Sequence, residues 1–139
     1  EKEILRGQIS PNKQTISPVI KPQDIIDARE VVKEVYIDSK IENYITDIVF
    51  ATRFPEEYGM NNLTSIISYG ASPRATINLA LASRALAFIK RRGYVIPEDV
   101  REVCLDVLRH RIGLTYEAEA ENIKSEDIAT EIVNKIDVP

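Results

Sequence analysis

A chain of 139 residues can bury one hydrophobic core but not two, and its five glycines are too few for the repeated tight turns of a sandwich, barrel or propeller. Eighteen basic against 22 acidic residues give a net charge of −4, and 44% apolar with 29% charged residues exclude a disordered chain and a globally basic nucleic-acid binder. One cysteine, Cys104, leaves no internal disulfide, and the longest apolar run, residues 85–89, is far short of the roughly twenty residues a membrane span needs, so the chain reads as reduced, cytoplasmic and without membrane insertion.

The opening Glu1-Lys2-Glu3, with neither methionine nor apolar leader, reads as a cut from a longer protein. Residues 1–6 look like a helix tail stopped by Gly7, and residues 8–21, with Pro11 and Pro18, have no period and read as a linker. Twenty isoleucines and eleven valines favour strand by propensity, yet their spacing is helical, and the period decides. Pro22 opens a first helix with Ile25, Ala28, Val32 and Val35 at steps of three and four. After a short extended stretch at Val35-Tyr36-Ile37, Ser39 and Glu42 form an expected capping box. Ile41, Tyr44, Ile45, Ile48, Val49 and Thr52 then mark one face of a second helix ended by Pro55.

Residues 54–71 are irregular, with at most a turn around residues 63–67. Ser72 is the expected N-cap and Pro73 the first residue of a helix that ends at Lys90-Arg91-Arg92, with Gly93 as its cap. This helix is apolar nearly all round and is expected to be central and buried. Pro97-Glu98-Asp99 starts the next, with Val100, Val103, Cys104, Val107, Leu108 and Arg111 on one stripe and Gly113 at its end. Ser125-Glu126-Asp127 starts the last, with Ile128, Ala129, Ile132, Val133 and Ile136 inward. The expected fold is all-α, a compact bundle of about five helices around a buried central one, divided as residues 1–20 and a helical domain of residues 21–139.

Little of this carries chemistry. His110, the one histidine, has no nucleophile and base around it that would make a triad, and with one cysteine there is no zinc constellation. Cys104 on an apolar stripe reads as a packed core thiol. The acidic pairs Glu98-Asp99 and Glu126-Asp127 follow helix starts and read as caps. Lys90-Arg91-Arg92 and Arg109-His110-Arg111 sit at helix C-termini, where cations are stabilising without any phosphate, so nucleic-acid binding is not expected. Gly70-Ala71-Ser72-Pro73-Arg74-Ala75 stands apart: a helix N-terminus favours an anion, and Arg74 in the first turn adds a donor fork suited to phosphate. Taken alone, the six residues fit a solvated structural arginine better, because Ser-Pro caps and first-turn arginines are common.

Five segments in order resemble the C-terminal lid of MoxR-family AAA+ ATPases: Ala51-Thr52-Arg53; residues 70–75; Tyr94-Val95-Ile96-Pro97-Glu98-Asp99-Val100; Val107-Leu108-Arg109-His110-Arg111-Ile112; and Tyr116-Glu117-Ala118-Glu119-Ala120-Glu121. The resemblance spans residues 21–139 and implies that residues 1–20 are the end of the ATPase core and its linker. It implies a lid closing over ATP held by that core, with residues 70–75 as the sensor 2 motif. Arg74 would then be its γ-phosphate-reading arginine, and Gly70, Ser72 and Pro73 would frame the nucleotide. It further implies magnesium in the parent, a homo-oligomeric ring, chaperone-like remodelling of partners and association with von Willebrand factor A domain proteins. Two departures stand out: the family's glycine-arginine pair before the aromatic-valine-x-proline element is here Arg91-Arg92-Gly93, and residues 56–69 do not match. The glycines are followed by Gln8, Met60, Ala71, Tyr94 and Leu114, never by lysine, so the chain has no P-loop, and no hydrolysis or bound nucleotide is expected of it alone. The competing expectations are a helical interaction module without a nucleotide role and, third, a DNA-binding bundle.

Overall fold

The computed structural model describes residues 1–3, 5 and 17–139, which form two compact units, Glu1–Glu30 and Val31–Pro139. Gly7, Pro11 and most of the expected linker lie outside the described residues. In the first unit Lys2, Glu3 and Leu5 are helical, and the Leu5 N–H donates to the Glu1 carbonyl at 2.9 Å. Helix α1 (Pro22–Lys33) opens on Pro22, and the Asp24 carboxylate accepts the Lys21 N–H at 2.7 Å. None of its residues is buried: Ile25 and Ile26 are about half exposed, and Val35, fourth of the expected stripe, lies past the helix end.

The second unit is a helical bundle. Tyr36 pairs with Tyr94 in a single parallel bridge, the Tyr36 N–H donating to the Gly93 carbonyl at 2.9 Å and the Val95 N–H to the Tyr36 carbonyl at 3.0 Å. Helix α2 (Ser39–Ala51) buries Ile41, Tyr44, Ile45, Ile48 and Val49, the expected face. Its cap is not the expected Ser39 box: Asp38 is the N-cap and accepts the Lys40 N–H at 2.9 Å, a carboxylate one residue earlier meeting the positive helix end more strongly than a hydroxyl. Two 3₁₀ turns follow, Pro55–Tyr58 and Asn61–Leu63, both too short for a sequence period to show.

Strand β1 (Ile67–Tyr69) pairs antiparallel with β2 (Gly113–Leu114) through Ile67 with Leu114 and Tyr69 with Gly113, so Gly113 serves a ladder and not a helix end. Helix α3 (Pro73–Ile89) packs most closely on α4 (Pro97–Leu108), and then on α2. It buries only Ala75, Leu79, Ser83 and Ala87, while Ile77, Leu81 and Ile89 are 60%, 52% and 73% exposed, which corrects the expectation of a helix buried all round. The left-handed residue after it is Arg91, φ 59°, and not Gly93. A five-residue helix α5 (Tyr116–Ala120) precedes α6 (Ser125–Lys135), whose Ile128, Ala129, Ile132 and Val133 are buried as expected. α6 packs on α4, where Arg101 donates to the Val133 carbonyl at 2.8 Å and the Asn134 side chain at 2.5 Å.

Candidate functional site

The six residues from Gly70 lead into α3 and abut the end of α2. Thr52, wholly buried, donates its hydroxyl to the Val49 carbonyl at 2.7 Å and accepts the Ala71 N–H at 2.8 Å. Gly70 lies against the same residue: a Cβ there would stand 2.5 Å from the Thr52 carbonyl carbon, so the two backbones meet only because Gly70 has no side chain. Ala71 and Ala75 are buried, and the Ala75 N–H donates to the Ser72 carbonyl at 2.8 Å. Ser72 has the extended backbone of an N-cap, φ −76° and ψ 167°, but its hydroxyl makes no capping bond.

Pro73 fills the first helical position, and Arg74 follows it, exposed and with no hydrogen bond or ion pair among the described residues. The dipole of α3 and an unengaged guanidinium therefore lie at one surface, which fits a phosphate group. Beside Gly70, the Arg53 guanidinium stacks over the Phe50 ring at 4.4 Å, and its Nε has no partner. Among the described residues no three His, Cys, Asp or Glu side chains gather into a metal site. No helix among them is long and apolar enough to cross a membrane.

The two basic clusters resolve differently. Arg92 donates both guanidinium nitrogens to the buried Asp99 carboxylate, one at 2.6 Å, and Lys90 lies 3.6 Å from it while bonding Glu102. Asp99 also accepts the Ile96 N–H at 3.1 Å, the expected capping role. Burial pushes this carboxyl up more than any other single influence. The Arg92 hydrogen bonds, the Ile96 N–H and the charges of Arg92 and Lys90 together outweigh it and hold the group below the ordinary carboxylate value. Arg109 pairs with Asp106, and Arg111 donates to the Val107 carbonyl at 2.9 Å. Cys104 is wholly buried, and burial pushes its thiol up to about 12, against a small opposing pull from Arg101. Between α2 and α3 runs an apolar groove of about 330 Å³ lined by Ile37, Ile45, Ile77, Ala80, Leu81 and Arg84.

Residues 62–132, which run from the second 3₁₀ turn through most of the last helix, match the AAA lid domain family model. Over its whole length the chain is 37% identical to Chaperone MoxR1 of Mycobacterium tuberculosis, and over 91% of it, 36% identical to the YeaC protein of Bacillus subtilis; it spans 37% of the length of each. A crystal structure from Cytophaga hutchinsonii, described as a candidate ATPase, superposes on 99% of the chain with a TM-score of 0.91 at 42% identity, the chain covering 42% of that one. The chain belongs to the AAA lid domain family, in its MoxR type.

The sequence places Thr52 on the marked face of the second helix but assigns its hydroxyl no partner. A threonine at a helix end gives no sign that its hydroxyl serves a backbone N–H nineteen residues later.

Proposed function

We propose that this chain is the sensor 2 lid of a MoxR-type AAA+ ATPase, closing over ATP and magnesium held by a core domain outside residues 21–139, with residues 1–20 the end of that core and its linker. Arg74 reads the γ-phosphate, while Gly70, Ser72 and Pro73 shape the turn that delivers it. The parent is a cytoplasmic, ring-forming enzyme that couples hydrolysis to chaperone-like remodelling of partners, von Willebrand factor A domain proteins among them. The lid alone does not turn ATP over. The observation that carries this reading is Arg74 itself, an exposed arginine without a partner among the described residues at the first turn of a helix seated in the core.

The test is Arg74→Ala. A charge-assisted hydrogen bond contributes about 1.5–3 kcal/mol, so if the contact strengthens in the transition state, ATP turnover by the full-length parent falls roughly ten- to a hundredfold. The melting temperature of the isolated lid stays within about 1 °C, because an exposed, unpaired arginine contributes little to stability. Unchanged turnover with a large loss of stability would withdraw the sensor assignment. It would favour the second reading, a helical interaction module without a nucleotide role, which the exposed apolar Ile77 and Leu81 on the groove support.

A further inference from the structure

We infer that Thr52 is a positioning residue for Arg74: its buried hydroxyl, acting through the Ala71 N–H, fixes the attitude of the turn that presents the arginine. The inference rests on the sensor reading of Arg74. The hydroxyl works in both senses, donating to the Val49 carbonyl at 2.7 Å and accepting from Ala71 at 2.8 Å, in a place no solvent reaches. Valine has the same shape but neither capacity, and would leave a buried N–H and a carbonyl unpaired; serine keeps both.

The side chain best placed to anchor the turn locally, Ser72, makes no capping bond, so the anchor comes from α2. Gly70 brings the two backbones into contact at the same point, which leaves no side chain between them to take up a shift. From Ala71 to Arg74 the chain passes through one extended residue and a proline of fixed φ, and Ala75 is then locked in the core. Only Ser72 and Pro73 separate Ala71 from Arg74, so a displacement of Ala71 has a short path to the arginine, and misplacing a group that reads a reacting phosphate by about 1 Å can cost up to 100-fold in rate.

The experiment is a mutant cycle in the full-length parent, measuring kcat and KM for ATP with Thr52 as wild type, Ser and Val, each with and without Arg74→Ala. Thr52→Val is expected to lower kcat about tenfold, and Thr52→Ser to stay within about twofold of wild type. In the Arg74→Ala background Thr52→Val should lower kcat no further, a non-additivity that a purely structural hydroxyl would not give. If Thr52→Val does not fold, Thr52→Ala, which also removes the hydroxyl, takes its place in the cycle. Equal losses in both backgrounds, or full activity of Thr52→Val alongside a damaged Arg74→Ala, would overturn the positioning role while leaving the sensor reading intact. An Arg74→Ala enzyme as active as wild type would instead overturn the sensor reading, and this inference with it.

Discussion

Arg91 sits at φ 59°, where a side chain with a Cβ costs about 1–2 kcal/mol relative to ordinary helical backbone. Glycine carries no such cost but loses more chain entropy on folding, so Arg91→Gly is expected to stabilise the lid by up to about 1 kcal/mol, read as a rise of about 3 °C in a thermal melt. The neighbouring arginine behaves oppositely. Arg92→Ala strips the buried Asp99 of its two-pronged partner and should lower the melting temperature far more than Arg91→Ala. The departure from the family's glycine-arginine pair thus has a local account: Arg91 occupies the left-handed position a glycine would suit, and Arg92 is the arginine that holds Asp99.

Because the Asp99 carboxyl lies below its unfolded value, the folded state resists protonation there. Its contribution is complete above the unfolded carboxylate value near 4 and is lost as pH falls through the folded one. A denaturation series below pH 5 should show a shallower acid limb for Asp99→Asn than for the wild type.

At the scale of elements, α2 shows why some of the fold was legible and some was not. Its buried face is carried by large side chains at helical spacing, so Ile41, Tyr44, Ile45, Ile48 and Val49 disclosed it without coordinates. Ile45→Ala should cost about 2–5 kcal/mol, Asp38→Ala about 1, and Ser39→Ala close to nothing, since Ser39 makes no cap; chemical denaturation of the three variants ranks them. Equal losses at Asp38 and Ser39 would contradict the cap assignment. α3 misled because alanine and leucine dominate both its faces: composition does not say which side meets α2 and α4. The two 3₁₀ turns and the three-residue β1 lacked the length for a period. The site divided along the same line. Arg74, Pro73 and Ser72 stood in one contiguous motif, whereas the Thr52 to Ala71 bond joins residues nineteen apart and the turn at Arg91 had no glycine to announce it.

On the scale of the molecule, the described core belongs to the second unit: every residue of its cluster lies between Val35 and Ile136. A single continuous core predicts that the chain alone gives a helical circular dichroism spectrum and one cooperative melt. A phosphate-release assay on the same sample is expected to stay at background, because the sequence carries no P-loop motif. Turnover that survived repurification would refute that.

Cys104 extends this picture into time. It is the one sulfhydryl in the chain, it faces no solvent, and its ionisation is displaced to about 12, so an alkylating reagent at neutral pH has no thiolate to attack in the folded lid. Once α4 and α6 part, the same sulfur returns to an ordinary value near 8.5 and reacts. When reclosing outpaces alkylation, the labelling rate is the intrinsic rate multiplied by the fraction of molecules open. The mass added per hour therefore counts excursions from the closed state, with no probe engineered in.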